Sequence, residues 1–522
     1  MGDSRAFVSG AEWLLKTLVD NGIEVCFANP GTTELPFVSA LERVNSVRPV
    51  LGLFEGVCSG AADGYFRISG KPAAVLTHLG PGFANSIANL HNAKRANSGV
   101  LNIIGDHVTW HLKSDPPLNS NIQALASAVS TKVYYAGTLE TLIKSTEEAL
   151  EGVFSSKPTI ETVVFPEDVQ SAQINGETLK RKKRQNSSSY DHNNLKLLFS
   201  SIENGEKVLI LLGSNALREP SLNEVLRFVD LKNVDFIGET FAATSEHGGG
   251  LPKIRRFPYP PGVAHDLLLS YDKVALFGAK HPVAFFASRG IPSFLGDQDR
   301  ILTIAEPLEN SLDALKTLAT MLELPEAKLI EWEKLPITQK TEKLTPENAV
   351  QIIAAYLPEN AIVSSEGGTL GFPFNQIEHL AARHTTLVLT GGAIGQGLPC
   401  ALGAAIAAPE RKTIALQSDG SALFTAQALW SMAREAVDVI IIIAANKKYQ
   451  VLENEMKRTG QFSSTKVVQD LLTLSDPEID WVSYSKGLGV PAEKVETTRE
   501  LQTAFLKALQ VKGPHLIEAI IS

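Results

Sequence analysis

The sequence predicts an α/β protein made of three doubly wound parallel-sheet domains. Two observations lead to this prediction. Short apolar runs alternate with stretches of helical spacing along most of the 522 residues, and two polar segments divide that alternation into three blocks. Strand–helix alternation at these lengths is typical of parallel sheets covered by helices. A chain of this length also has room for several hydrophobic cores.

Composition narrows the class of protein. Hydrophobic residues make up 44% of the chain and charged residues 20%, which is typical of a globular protein and excludes a disordered or collagenous one. The net charge of −9 provides no general attraction for nucleic acid or an anionic membrane. The 3 cysteines form no CxxC pair, so we expect neither a disulfide framework nor a structural zinc site. No apolar run reaches the roughly 18 residues of a membrane span, and we expect a cytoplasmic protein.

The first block, residues 1–172, begins with helical spacing over 11–21. Apolar runs that end near glycine, proline or polar residues then predict buried strands, with helical patterns between them. The predicted strands of this block are 24–28, 73–76, 100–104 and 162–165.

Residues 173–194 read QINGETLKRKKRQNSSSYDHNN, a polar and charged stretch that we interpret as an interdomain linker. Its basic cluster at 180–184 is also compatible with a nuclear or nucleic-acid signal. Because the rest of the chain is acidic, we favour the solvated linker.

Two further α/β blocks follow this segment. The central block, 195–335, has its clearest predicted strands at 207–212 and 273–277. A second polar stretch, about 331–345, precedes the third block, 345–522. The strands predicted for the third block are 361–363, 386–389, 413–416 and 439–445.

The most informative segment is 412–454. A strand leads into the tetrapeptide SDGS, a helix is predicted over 422–436, and a second strand stops before Asn446. In a parallel sheet, Asp419 and Asn446 then lie at the carboxyl ends of neighbouring strands, where such sheets bind ligands. A carboxylate and an amide oxygen suit Mg²⁺, which completes its coordination with substrate phosphates. The two residues after Asp419 open a helix, whose free N–H groups favour a phosphate. The segment therefore predicts a Mg²⁺-diphosphate site.

This segment resembles the GDG…N motif of thiamin-diphosphate enzymes. The resemblance implies that the side chains of Asp419 and Asn446 bind Mg²⁺, with the backbone carbonyl of Lys448 as the third ligand. The sequence departs from the motif at two positions: Ser418 replaces the first glycine, and Ala445 replaces the usual preceding asparagine. Ser418 is then expected to adopt the backbone angles that glycine normally supplies.

The N-terminal block carries a second motif, EGVCSGAADGYFRISGKPA, which begins at Glu55. It resembles the pyrimidine-binding domain of the decarboxylase and acetohydroxyacid synthase group. The resemblance implies that Glu55 contacts the aminopyrimidine ring and favours the tautomer that activates the thiazolium as an electron sink. It also implies that residues 1–172 form the pyrimidine-binding domain and residues 345–522 the diphosphate-binding domain.

Two segments of the N-terminal block resemble benzoylformate decarboxylases. In NPGTTELPF, Thr32 stands where that family has an active-site serine. In HLGPGFAN, His78 stands at the position of a catalytic histidine and Asn85 at that of a matching asparagine. A second histidine of that family has no counterpart here, and the nearest alignment places Phe285 there.

The loop GGAIGQGLP at 391–399 resembles the wedge that holds thiamin diphosphate in its V shape. The resemblance implies that Ile394 is the wedge residue and that the carbonyl of Gly392 meets the 4′-amino group. A dinucleotide-binding GxGxxG motif is not satisfied, because its third glycine would fall at Cys400. Contacts with the diphosphate are expected from the segment EGGT at 366–369, which includes Glu366, Gly368 and Thr369, and from Gly420 and Ser421.

The resemblance covers about residues 8–172 and 345–518. It implies thiamin diphosphate- and Mg²⁺-dependent decarboxylation of a 2-oxo acid. The product is either an aldehyde or, as in acetolactate synthases, the condensation product with a second carbonyl. A proton donor such as His78 favours the aldehyde. An apolar lining for aromatic or branched substrates could include Phe37, Phe83, Phe285 and Phe286, although phenylalanine is more often a core residue. FAD is not expected, since the residues that hold it in acetohydroxyacid synthases are missing.

Three alternatives remain open from the sequence. They are a carbon–carbon lyase of the 2-hydroxyacyl-CoA lyase type, a non-catalytic protein that binds cofactor or a partner, and a nicotinamide oxidoreductase. The resemblance further implies that Glu55 and the diphosphate motif of one site come from different subunits. We therefore expect a homodimer or homotetramer with a small-molecule substrate and neither nucleic acid nor membrane as partner.

Overall fold

The computed structural model describes residues 7–181, 189–328, 330–332, 335–336, 341–366 and 368–522. Parallel sheets flanked by helices form three successive units, which confirms the predicted α/β class and three-domain layout. The precise domain limits remain a proposal. No helix among the described residues is both long and apolar enough to cross a membrane.

The first unit is a parallel sheet with helices on both faces. Its helices are α1 (Gly10–Asp20), α2 (Leu35–Arg43), α3 (Glu55–Ser69), α4 (Leu79–Arg95), α5 (Ile122–Ser127), α6 (Leu139–Val153) and α7 (Glu167–Ser171). Its strands are β1 (Phe7–Ser9), β2 (Val25–Asn29), β3 (Arg48–Leu51), β4 (Ala73–His78), β5 (Val100–Asp106), β6 (Lys132–Tyr135), β7 (Ile160–Pro166) and β8 (Gln173–Asn175). Six of these strands form the sheet, in the order β3-β2-β4-β5-β7-β6. This order places the carboxyl ends of β2 and β4 side by side.

The segment predicted as an interdomain linker packs against the first unit over its first residues. It begins with β8, which pairs antiparallel with β1, and the indole N–H of Trp13 donates to the carbonyl of Glu177 at 2.7 Å. The Arg181 guanidinium lies 4.0 Å from the centre of the Phe154 ring. These long-range contacts hold the segment against the first unit as far as Arg181, a docking that its polar composition does not reveal. Residues 182–184 of the basic cluster lie outside the described residues.

The middle unit is a five-stranded parallel sheet. Its helices are α8 (His192–Glu203), α9 (Glu219–Val225), α10 (Pro261–Leu269) and α11 (Ser311–Met321). The strands of this part of the chain are β9 (Val208–Leu212), β10 (Val234–Gly238), β11 (Thr244–His247), β12 (Arg255–Arg256), β13 (Lys273–Phe277) and β14 (Ile301–Ala305). The sheet order is β12-β10-β9-β13-β14, and β11 instead joins the sheet of the third unit. Strand β11 therefore connects the middle unit to the third.

The third unit is built on a seven-stranded sheet. Its helices are α12 (Pro346–Tyr356), α13 (Gly368–Ile377), α14 (Gly397–Ala407), α15 (Asp419–Ala422), α16 (Ala428–Glu435), α17 (Gln450–Arg458), α18 (Lys466–Leu472), α19 (Trp481–Gly487) and α20 (Thr498–Gln510). Its strands are β15 (Ala361–Ser365), β16 (His384–Val388), β17 (Thr413–Ser418), β18 (Val439–Ala445), β19 (Ala492–Val495) and β20 (His515–Ile520). The order is β11-β16-β15-β17-β18-β20-β19, with β11 as the antiparallel edge.

The helix predicted over 422–436 is interrupted in the structure. A 3₁₀ turn, Leu423–Thr425, separates α15 from α16. In this turn, Thr425 donates its hydroxyl to the carbonyl of Gly395 at 2.7 Å. Tertiary contacts of this kind routinely override local helix propensity. The local sequence pattern does not contain this contact, so it predicted one continuous helix.

Helices α3 and α14 join the first and third units. Their backbones approach so closely that a methyl group on Gly64 would overlap the Cys400 carbonyl oxygen, and one on Gly403 would overlap that of Ala61. One hydrophobic core contains buried residues of both units, whereas two other cores belong to the middle unit alone. The first and third units therefore form one packed body.

A buried ion pair lies at the same junction. Asp63 accepts two parallel hydrogen bonds from Arg67, at 2.9 and 2.6 Å, and a third from the Gln396 side chain at 3.0 Å. The other side of the Arg67 guanidinium donates to the carbonyl of Val388 at 2.8 Å. A bidentate pair with further partners is the arrangement in which buried charges are tolerated.

Candidate active site

Asp419 and Asn446 lie at the ends of adjacent strands, as the sequence predicts. Strands β17 and β18 are parallel neighbours in register, with Ser418 opposite Ala444. Asp419 accepts a hydrogen bond from the backbone N–H of Lys447 at 2.6 Å, which fixes the two strand ends together. The role of both side chains as metal ligands remains a prediction.

Thr369 connects α13 to the same strand ends. Its hydroxyl accepts a hydrogen bond from the Asn446 amide at 3.2 Å and lies 3.3 Å from the Ser418 hydroxyl. Gly368 begins α13, and no described atom lies within 4 Å of a methyl group placed on it. The start of α13 therefore offers free N–H groups and open space beside Asn446, as a phosphate-binding position requires.

Ser418 adopts an ordinary extended conformation, with φ −100° and ψ 151°. The expectation that it needs glycine-like angles is therefore wrong. The left-handed residue of this region is instead Lys447, at φ 59°, directly after Asn446. Gly420 donates its N–H to Asp419 at 2.9 Å, and Ser421 donates its hydroxyl to the carbonyl of Ser418 at 3.2 Å.

The electrostatics at Asp419 suit a cation. Burial raises the pKa of its carboxyl, although backbone N–H groups of Lys447 and Gly420 oppose the shift. Among the described residues, no three His, Cys, Asp or Glu side chains converge as a metal cluster. A cation bound at this position would meet one carboxylate, the Asn446 amide oxygen, backbone oxygen and a phosphate. This hard, oxygen-rich set fits Mg²⁺. Lys448 lies beside it and donates its N–H to the Asn446 oxygen at 3.2 Å.

The loop at 391–397 is anchored by the buried carboxylate of Glu366, whereas the sequence suggested only a diphosphate contact for the segment 366–369. Glu366 accepts the N–H of Gly395 at 2.5 Å and that of Gly397 at 2.6 Å. Burial raises the pKa of Glu366 to about 7. The sequence showed a glutamate at a strand end, but no local signal pointed to partners about 30 residues further along.

The opposite side of this loop is held by α4. The Asn92 amide donates to the carbonyl of Ala393 at 2.7 Å and accepts its N–H at 3.2 Å, and Asn89 reaches the carbonyl of Gly395 at 3.4 Å. Gly392, at φ 80°, has a conformation that favours glycine. Ile394 is exposed between these anchors, on a backbone fixed from both sides.

The N-terminal half of the site centres on Glu55, the first residue of α3. It is buried, and the Asn85 amide donates to its carboxylate at 2.9 Å. A methyl group on Gly82 would lie 3.0 Å from the other carboxylate oxygen. The structure therefore brings Glu55 and Asn85 together, and a glycine leaves access to the carboxylate.

His78 ends β4 and is held by a residue that the sequence did not single out. Its Nδ1 lies 2.8 Å from the fully buried carboxylate of Glu34 and 3.1 Å from the hydroxyl of Thr33. A carboxylate at Nδ1 favours the tautomer with its proton there, which leaves Nε2 for exchange. Thr32 is exposed, and within the described ranges its hydroxyl makes no hydrogen bond, although its backbone carbonyl accepts the N–H of Leu35. Thr33 rather than Thr32 therefore contacts His78 in this chain.

The four phenylalanines that the sequence offers as a lining or as core residues separate into two groups. Phe37 and Phe83 are fully buried core residues, which is the commoner role of phenylalanine. Phe285 and Phe286 are exposed. A methyl group on Gly392 would lie 3.1 Å from the Phe285 ring, so the middle unit reaches the loop of the third.

Comparison with known proteins supports a relationship over the whole chain. Residues 8–128 match the model of the thiamine pyrophosphate enzyme N-terminal TPP binding domain, and residues 367–519 match that of the C-terminal TPP binding domain. The putative acetolactate synthase large subunit IlvX of Mycobacterium tuberculosis is 40% identical over 98% of this chain and 99% of its own. Benzoylformate decarboxylase of Pseudomonas aeruginosa is 25% identical over 95% of this chain and 96% of its own.

The fold also matches a solved structure. The thiamine diphosphate-dependent 4-hydroxybenzoylformate decarboxylase of Rhodococcus jostii RHA1 superposes with a TM-score of 0.85. The match covers 99% of both chains at 23% identity. At this identity the likeness supports the arrangement of all three units and not a shared substrate.

Proposed function

This chain belongs to the thiamine pyrophosphate enzyme family, and we propose that it decarboxylates a 2-oxo acid non-oxidatively with thiamin diphosphate and Mg²⁺. The observation that carries the proposal is that this one chain contains candidate residues for each half of a cofactor site, already held in place by hydrogen bonds. Asp419 and Asn446 lie at adjacent strand ends, and a buried Glu55 is held by Asn85. The product is an aldehyde or, as in an acetolactate synthase, the adduct with a second carbonyl.

The third unit would hold the diphosphate and the metal. Asp419, Asn446 and the carbonyl of Lys448 would bind Mg²⁺, and the start of α13, at Gly368 and Thr369, would bind phosphate oxygens together with Gly420 and Ser421. When bound, thiamin diphosphate supplies a thiazolium that accepts the electron pair of the breaking carbon–carboxylate bond. The protein contributes the orientation of this group, which Ile394 and the carbonyl of Gly392 would fix.

Proton transfers would be carried out by residues of the first unit. Glu55 would hold and exchange a proton at the aminopyrimidine, with Asn85 keeping its carboxylate in one orientation. His78 would deliver a proton through Nε2, because Glu34 occupies Nδ1. A positioned acid at this point favours release of an aldehyde over condensation.

A second subunit would complete the site, and we propose a homodimer or homotetramer. Apolar side chains at this end of the molecule are exposed in the single chain, among them Leu53, Ile394 and Phe424. Apolar surface of this kind is commonly covered by a partner subunit. Analytical ultracentrifugation tests this proposal, and a stable, fully active monomer would contradict it.

The first experiment measures CO₂ release from a panel of 2-oxo acids with thiamin diphosphate and Mg²⁺, with products identified by mass. Aldehyde alone supports a decarboxylase, and a condensed product supports a carboligase. Absence of release from every member of the panel, in protein that binds cofactor, would overturn the proposal.

Two variants separate the proposed roles. Glu55→Gln should lower turnover by at least 100-fold, the scale of a lost acid–base group, while cofactor still binds in calorimetry. Asp419→Ala should lose Mg²⁺-dependent cofactor binding. The exposed Asp470→Ala is the matched control and should change neither quantity. Normal turnover in the first variant, or unchanged cofactor affinity in the second, would contradict the assigned role.

A further inference from the structure

Four aromatic side chains of the middle unit form a contiguous group, here called the aromatic cluster: Phe241, Tyr259, Phe285 and Phe286. Phe285 is its centre, with ring centroids 5.5 Å from Phe241, 5.6 Å from Tyr259 and 4.9 Å from Phe286. The interplanar angles at these contacts run from 51° to 75°, so the rings meet at a tilt or edge to face rather than stacking flat. Tilted and edge-to-face contacts are the arrangements that aromatic pairs prefer, so the four rings form one packed group.

The aromatic cluster is open to solvent in the chain. The exposed fraction is 45% for Phe285, 62% for Phe286 and 37% for Tyr259. By contrast, Phe37 and Phe83 have no exposed surface. Three adjacent aromatic rings at this exposure leave a large apolar area in contact with water, which a bound apolar group would cover.

The position of the aromatic cluster links it to the proposed chemistry. The Phe285 ring is the nearest neighbour to a methyl group built on Gly392, at 3.1 Å, and Gly392 belongs to the anchored loop that carries Ile394. A group that reacts at this loop would therefore have its substituent beside Phe285.

The aromatic cluster can bind an apolar group through ring contacts, and it is not suited to proton transfer near pH 7. Its one titratable member is Tyr259, whose pKa is raised by burial and by Glu455 and lowered by Arg458. A phenol of this kind stays neutral near pH 7. Aromatic rings recognise other aromatic rings through edge-to-face and offset contacts.

We propose that the aromatic cluster is the subsite for the substrate side chain and selects 2-oxo acids with an aryl group over pyruvate. This inference rests on the proposed decarboxylase function and assigns a substrate class to it. Phe285 supplies the central contact, Phe286 and Tyr259 flank the aryl ring, and Phe241 packs against both Phe285 and Tyr259.

The test compares Phe285→Ala with Leu197→Ala, an exposed apolar residue of the same unit that lies outside the aromatic cluster. In wild type, kcat/KM should be higher for phenylpyruvate or benzoylformate than for pyruvate. Phe285→Ala should lower that ratio about tenfold or more, the scale of one lost aromatic contact plus its apolar area, while Leu197→Ala leaves it unchanged. Phe286→Ala, at the more exposed position, should lower the ratio in the same direction.

A binding measurement separates this inference from the proposed function. Calorimetry in a Glu55→Gln background should show phenylpyruvate binding that weakens about tenfold with Phe285→Ala, while affinity for thiamin diphosphate is unchanged. A wild type that prefers pyruvate, or a Phe285→Ala variant with the same ratio and the same affinity, would overturn the inference and leave the proposed function standing. A wild type that releases CO₂ from no 2-oxo acid would overturn the proposed function, and phenylpyruvate binding would still decide the role of the aromatic cluster.

Discussion

The buried Asp63–Arg67 pair gives the sharpest test of how the first and third units are joined. Its side chains are 0% and 2% exposed, respectively. Asp63→Asn keeps the shape of the side chain but removes the negative charge. The Ser98 hydroxyl, the Gln396 amide and the guanidinium all donate hydrogen bonds to Asp63. The NH₂ group of the new amide is itself a donor, so it would face these donors without an acceptor. The Arg67 charge would then be buried without its counter-ion.

The expected cost follows from that burial. Removing one partner of a buried ion pair destabilises a protein by about 3–5 kcal/mol, because the remaining charge is left in a medium that solvates it poorly. Since whole domains are stable by only about 5–15 kcal/mol, Asp63→Asn should remove a large part of the free energy of unfolding. The carbonyl of Val388 still accepts from Arg67, which keeps the expected cost within this range and not above it.

The assay is urea unfolding, with Asp470→Asn as the matched control. Asp470 pairs with Lys466 on the surface, at side-chain exposures of 59% and 87%, and a pair of this kind contributes at most about 1 kcal/mol. We expect the midpoint of the transition that reports the shared core to fall strongly for Asp63→Asn and to stay nearly constant for Asp470→Asn. Equal losses in the two variants would refute the argument from burial.

Two further perturbations test helix packing and the anchored loop. The methyl group of Gly64→Ala would overlap the Cys400 carbonyl oxygen and should lower the free energy of unfolding by about 1–3 kcal/mol. Gly487→Ala is the control, because no described atom lies within 4 Å of the added methyl group, and its thermal midpoint should hardly change. Equal thermal midpoints for the two variants would contradict the close packing of α3 against α14. Burial raises the pKa of Glu366 from 4.5 to about 7, so the folded state retains a proton that the unfolded chain releases. The free energy of unfolding should therefore fall as pH rises from 4.5 to 7, and Glu366→Gln should flatten that fall in urea titrations. If the free energy of unfolding of Glu366→Gln depends on pH as steeply as that of the wild type, Glu366 is not the group that causes the fall.

The strands were the most predictable part of the fold. The bounds of β13 and β18 agree with the strands predicted at 273–277 and 439–445, because parallel strands buried on both faces consist largely of apolar residues. The meeting of Asp419 and Asn446 could be predicted for a related reason, since adjacent parallel strands end at one edge.

Side-chain partners distant in sequence were not predictable. Glu34 contacts His78 and Glu366 contacts Gly395, yet nothing near either glutamate in the sequence encodes its partner. Burial was equally ambiguous for phenylalanine, because the same residue type fills the core at Phe83 and lies exposed at Phe285. Only the packed structure distinguishes these cases.

The shared core of the first and third units has a consequence for synthesis of the chain. The closely packed face of α3 is complete after Ser69, but its partner α14 begins only at Gly397. At roughly 5–20 residues per second, the ribosome needs about 15–65 seconds to cover that interval. During this time the middle unit can fold, because it has cores of its own. The Gly- and Ala-lined face of α3 remains exposed to solvent over the same interval. The nascent chain is therefore most exposed to misassociation and to chaperones before its last third emerges.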